Sequence, residues 1–244
     1  MILAPPLVRE HVKRADGVIC VSEHTASEAR LLLDVRPEKV AVIPNGVDPV
    51  YRTPMPPEAV DAVLARRRLP RGAILYVGTE DKRKNLVNLA MAYMGLARRR
   101  RHTPPLLMVG PGAWWAQGGD ISGSQILSTG YLETAEIRAL MASSALLVLP
   151  SLEEGFGLPV AEAMAAGLPV VCSRGSALEE VAGGAATLVN PLDTKSIAEG
   201  IERVLDNPRL AEEQRRKGLE QSRKFDWDAT AGKTLEFYEK VLSR

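Results

Sequence analysis

The chain has 244 residues, of which 45% are apolar and 25% charged. That length holds one large or two small domains, and the composition excludes a disordered chain. Lys plus Arg is 31 and Asp plus Glu is 30, so a net charge of +1 gives no overall pull toward nucleic acid or anionic lipid. Aromatics at 5% leave little for base-stacking platforms. Cys20 and Cys172 form no CxxC pair, which argues against a disulfide scaffold or a zinc finger and fits a reducing compartment. No apolar run reaches the ~18–20 residues of a spanning helix. The start, with Pro5-Pro6 and no basic lead, does not read as a signal peptide.

In chain order, Gly17-Val-Ile-Cys-Val21 predicts a buried strand. Thr25 and Glu28 form a capping-box pattern ahead of Leu31-Leu32-Leu33. A second strand is predicted at 40–43, closed by the turn residues Pro44-Asn45-Gly46. The proline-rich stretch 49–72 predicts a linker with one short helix. Beyond it, strands are predicted at 73–77, 106–109, 126–129, 145–149, 168–172 and 186–189. Helices are predicted at 86–100, 134–143, 159–166, 177–182, 195–206, 208–222 and 227–242. Strands without polar alternation, separated by helices, imply a doubly wound parallel α/β sheet covered on both faces. Ligands of such a sheet sit at the carboxyl ends of its strands. The Arg98–Arg101 run ends a helix, where cations suit the dipole; a solvated helix terminus outweighs a nucleic-acid patch.

The segment Pro150-Ser-Leu-Glu-Glu154-Gly-Phe-Gly-Leu-Pro159-Val-Ala-Glu162 follows a strand and opens a helix. Gly155 and Gly157 let backbone approach a ligand, Pro159 suits the first helical position, and the free amides there offer a place where an anion can bind. Glu154 and Glu162 would repel a phosphate but accept hydrogen bonds from hydroxyls of a sugar or ribose. Together they suggest a ligand with anionic and polyol parts, a nucleotide sugar. The competing view, a tight turn with two solvent-facing carboxylates, carries equal weight on composition alone, because a Gly-rich loop is a weak motif.

The segment resembles the signature of GT-B fold, family 4 retaining glycosyltransferases, whose two glutamates flank a Gly-Phe-Gly turn as Glu154 and Glu162 do here. The likeness runs on through Ala15–Ser22, Val42–Asp48, Tyr76–Thr79, Arg83–Leu86, Gly130–Leu132, Glu180–Gly183, Asn190–Asp193 and the helix of Trp227, Ala231 and Tyr238. It implies a Rossmann-like C-terminal half, residues 55–244, that binds the donor. Residues 1–54 would be a partial remnant of the N-terminal, acceptor half together with the interdomain segment. It further implies that Arg83 and Lys84 neutralise the leaving diphosphate without a metal or other cofactor, and that Glu154 holds hydroxyls of the transferred sugar. These three are the implied catalytic residues. Glu162 would hold the ribose, and amides at Phe156, Gly157 and Leu158 would bind phosphate or sugar. Gly78 would admit the phosphates, and Gly110, Tyr131 and Leu132 would line the base pocket. The family more often has a second basic residue after the strand glycine; Thr79 stands there, which leaves the division of labour between Arg83 and Lys84 open.

None of His11, His24 and His102 lies in the family's catalytic context, so no acid/base residue is assigned. The implied reaction moves a hexose from a nucleotide sugar, GDP-mannose ahead of UDP-glucose, to a saccharide or lipid-linked acceptor with retention, in surface polysaccharide assembly. The setting would be the cytoplasm, at most peripheral to the inner face of the membrane, with no nucleic-acid partner. A separate acceptor-domain chain is a possible partner. The alternative is a non-catalytic nucleotide-sugar-binding subunit, or an inactive fragment that requires such a partner. A dinucleotide-dependent dehydrogenase is rejected, since Tyr76–Asp81 lacks the required glycines.

Overall fold

The computed structural model describes residues 6–110 and 125–243. A helix, α1 (Pro6–Arg14), leads into β1 (Val18–Cys20), α2 (Glu23–Leu33) and β2 (Val40–Val42). β1 and β2 form a two-stranded parallel sheet in the register Val18–Val40 to Cys20–Val42. Its small core gathers Cys20, Ala26, Ala29 and Val35. The helix cap differs from the expected box. Ser22, not Thr25, is the N-cap, and its hydroxyl accepts from the Thr25 N–H. Both residue types cap well, and Ser22 wins because the strand ends at Cys20, so the chain turns two residues later.

After a 3₁₀ turn at Pro49–Arg52, α3 (Pro57–Arg67) precedes the main sheet. This holds β3 (Ile74–Val77), β4 (Leu106–Val109), β5 (Ile126–Gly130), β6 (Leu146–Leu149), β7 (Val170–Ser173) and β8 (Thr187–Val189). The strand order is β5-β4-β3-β6-β7-β8, and every pairing is parallel. Leu146 through Leu149 have no exposed surface, which explains the unbroken apolar run. Each such side chain contributes about 1.5–3 kcal/mol of burial. β5 is an edge strand, and its exposed Leu127 and Ser128 reflect that position.

The connecting helices are α4 (Leu86–Arg99), α5 (Thr134–Ser143), α6 (Leu158–Ala165), α7 (Ala177–Ala182) and α8 (Thr194–Leu205), followed by α9 (Pro208–Ser222) and α10 (Trp227–Leu242). β3 pairs with β4 on one side and β6 on the other, so right-handed crossovers send α4 and α6 to opposite faces. α4 packs with α8, and α6 packs with α7 and α9. The order of winding reverses between β3 and β6, and in such sheets this switch point, at the strands' carboxyl ends, is where ligands bind. α10 leaves the large sheet and returns to the small one. A Cβ on Gly17 would lie 2.6 Å from the Phe237 ring, so glycine is required where this helix crosses.

Candidate active site

Two loops meet at the switch point, one from the end of β3 and one from the end of β6. In the first, Asp81 caps a 3₁₀ turn at Lys82–Lys84 by accepting from the Arg83 N–H. Asn85 then takes a left-handed conformation, φ 60°, at the mouth of α4. Its buried amide donates to the carbonyls of Pro150 at 2.9 Å and Pro191 at 2.7 Å. The Leu152 N–H donates to the Arg83 carbonyl at 2.7 Å. These bonds fasten the two loops together and set where Lys84 points.

Lys84 Nζ lies 2.6 Å from Glu154 Oε1, with the two side chains 13% and 10% exposed. The Ser151 hydroxyl donates to the same oxygen at 2.8 Å. Two of the implied site residues, 70 positions apart, therefore meet at the switch point. Arg83 turns instead to Asp81, donating from Nε at 3.2 Å and Nη2 at 3.1 Å. That pair holds the Asp81 carboxyl below its usual range. Arg83 still feels the charges of Glu154 and Glu153, so it borders the switch point without touching the central pair.

Glu162 stands on α6, beside Tyr51 and Asp48 of the interdomain segment. Burial, reinforced by the Asp48 charge, pushes its carboxyl up to about 7 against a hydrogen-bond contribution from Tyr51. Burial and then Glu162 push the Tyr51 hydroxyl upward in turn. Neither Asp48 nor Tyr51 was singled out from the sequence as a Glu162 neighbour.

The glycines divide by role. A Cβ on Gly110, φ 142°, would fall on the Gly78 carbonyl oxygen, so β3 and β4 end in mutual contact. Gly157, φ 97°, sits against Leu178 Cδ2 with no room for a Cβ. Gly155 has ordinary clearance, 3.7 Å from Thr25 Oγ1. The Phe156 ring is buried and packs edge-on against Phe225 at 5.3 Å, so only its backbone can serve a ligand. Among the described residues, the N–H groups of Phe156, Gly157 and Leu158 have no backbone acceptor. Tyr131 is 72% exposed, whereas the Leu132 side chain is 3% exposed and belongs to the core. A Leu132 side chain placed there offers no surface to a base; any contribution comes through its backbone.

His24 gained no role from the sequence, yet its Nε2 pairs with Glu153 next to the central glutamate. Glu28 lies 3.9 Å from the same nitrogen. The ligand atoms of His24, Glu28 and Glu153 lie within 4.8 Å of one another. All three side chains are partly exposed, and they form a polar network joining α2 to the loop.

The family model described as Glycosyl transferases group 1 matches residues 71–207, and that for Glycosyltransferase Family 4 matches residues 2–51. The chain is 30% identical over 239 residues to the O-antigen chain mannosyltransferase B of Escherichia coli, covering 95% of this chain and 62% of that protein. It is 32% identical over 239 residues to an MMP alpha-(1->4)-mannosyltransferase of Mycolicibacterium hassiacum, covering 93% and 54%. Among solved structures, a glycosyltransferase from Rickettsia africae superposes with a TM-score of 0.83 at 18% identity, covering 99% of this chain and 69% of that one. Anabaena HepE, solved with UDP and glucose, gives 0.82 at 20% identity, covering 98% and 70%. The chain thus belongs to the group 1, family 4-type glycosyltransferases, and its sheet is the parallel α/β unit of the GT-B fold. It spans less than two thirds of the length of these curated relatives. Among the described residues, no helix is long and apolar enough to cross a membrane.

Proposed function

We propose that residues 55–244 bind the donor of a retaining, metal-independent hexosyltransferase, and that residues 1–54 belong to the acceptor side. The donor is a nucleoside diphosphate sugar, with GDP-mannose favoured because the relatives named above are mannosyltransferases. The acceptor is a growing saccharide or a lipid-linked one. The observation that carries this reading is the Lys84–Glu154 contact at the switch point, 2.6 Å long and close in sequence to amides that have no backbone acceptor among the described residues.

A diphosphate offers Lys84 a second anionic partner, and sugar hydroxyls offer Glu154 neutral donors. Exchange of partners leaves both charges satisfied with the ligand seated between them. As the glycosidic bond breaks, negative charge grows on the departing diphosphate, and a fixed ammonium with aligned amides stabilises it most at that point. Glu162 accepts from ribose hydroxyls at the far end of the loop.

Calorimetry of the folded chain without magnesium is expected to show binding of GDP or UDP; binding of neither overturns the reading. Transfer is expected only with the acceptor half supplied, since proximity to an acceptor is otherwise missing. Binding without transfer in that reconstituted mixture would assign the chain as a non-catalytic binding subunit.

Glu162 gives the binding a pH dependence. Its folded value of about 7 lies above the ordinary 4.5, so the folded chain favours the protonated form. That contribution to stability is complete below 4.5 and fades as pH rises to about 7. A ribose hydroxyl donates best to the ionised carboxylate, and at pH 6 only about one in ten is ionised. Diphosphate affinity should therefore rise about tenfold between pH 6 and pH 8, beyond the change shown by Glu162→Gln, which cancels the ligand's own titration. Parallel pH curves for the two proteins would exclude this role.

A further inference from the structure

The first turn of α2 belongs to the small sheet, yet it grips the donor loop. Ser22 is fully buried. Its Oγ accepts from the Thr25 N–H at 3.0 Å and stands 2.7 Å from the Gly155 carbonyl oxygen and 2.9 Å from Thr25 Oγ1. Thr25 Oγ1 donates to the same Gly155 carbonyl at 3.0 Å. The single Ser22 proton serves either Thr25 or Gly155, and in both cases the carbonyl receives at least one hydroxyl. The helix start is itself anchored, because Glu180 accepts from the Glu23 and His24 N–H groups at 3.1 and 3.2 Å. His24 holds Glu153 alongside.

We propose that Ser22 and Thr25 are positioning residues for the donor's terminal phosphate, acting through the Gly155–Phe156 peptide. The peptide unit is planar and trans, so its C=O and N–H point in opposite directions. With the Gly155 carbonyl fixed on α2, the Phe156 N–H is fixed on the side away from α2, and it has no acceptor among the described residues' backbone groups. Hydroxyl donation to the carbonyl also polarises the amide and strengthens its N–H as a donor. Position 156 lies two residues after Glu154, assigned to the sugar, and six before Glu162, assigned to the ribose. The phosphate joined to the sugar is therefore the one within its reach. The inference rests on the donor-site reading above. It makes donor affinity depend on residues of the small unit that never touch the ligand.

The test compares GDP with GMP, and UDP with UMP, by calorimetry in the full chain. Thr25→Val keeps the side-chain volume and the Ser22 cap while removing one hydroxyl; Ser22→Ala/Thr25→Val removes both. The ratio of diphosphate to monophosphate affinity is expected to fall severalfold in the single variant and about tenfold in the double one. Monophosphate affinity should stay constant, and Thr25→Ser should restore the ratio. Thermal melting separates this from loss of fold, and if the double variant does not fold, Thr25→Val alone decides. An unchanged ratio in folded variants overturns the inference and leaves the donor site standing. Failure of the unaltered chain to bind either diphosphate overturns the donor site and the inference with it.

Discussion

Lys84→Met is expected to weaken GDP or UDP binding by about 10- to 100-fold, equivalent to ~1–3 kcal/mol for a charged hydrogen bond. Methionine keeps the apolar stem and deletes only the ammonium. The same change leaves Glu154 with Ser151 alone as its partner in a nearly enclosed position. Breaking one side of such a pair costs up to about 3 kcal/mol of stability. The two effects separate in Lys84→Met/Glu154→Gln, where no carboxylate remains unpaired. Its denaturant midpoint should recover toward that of the unaltered chain while nucleotide affinity stays low. If Lys84→Met binds as tightly as the parent, the pair is structural and the diphosphate lies elsewhere.

Gly157→Ala should destabilise the chain strongly. The residue has φ 97°, a conformation L side chains rarely adopt, and the added carbon would enter Leu178 Cδ2. Strain and overpacking each cost about 1–3 kcal/mol, and here they combine. Relief requires moving either α7 or the start of α6, which carries the amides of the proposed anion site, so diphosphate binding should be lost as well. Gly155→Ala is the control. Its Cβ would meet only ordinary contacts, 3.7 Å to Thr25 and 3.9 Å to Val21, and should cost less than about 1 kcal/mol. Equal melting temperatures for the two variants would contradict this account.

The large sheet was legible because its strands are buried on both faces, leaving apolar runs such as Leu146–Leu149 that no solvated element tolerates. The switch point was legible because parallel strands place their following loops at one edge, so Lys84 and Glu154 had to be near neighbours. Side-chain direction was harder. Arg83 could turn to a donor or to Asp81 two residues away, and local geometry selects Asp81. The Tyr51–Glu162 neighbourhood spans 111 positions and depends on how the proline-rich segment folds back, which no local pattern encodes. Leu132 follows a strand edge where a one-residue difference separates a core side chain from an open one. His24 escaped notice because its partner, Glu153, comes from another element.

The chain crosses between its two sheets twice, outward through 43–52 and back through 223–227. The crossings are bolted to each other: Arg52 donates to the carbonyls of Ser222 and Phe225, and Thr230 donates to that of Pro44. A single tether would let one body swivel freely on the other. A paired tether, cross-bonded along its length, resists torsion of one sheet against the other.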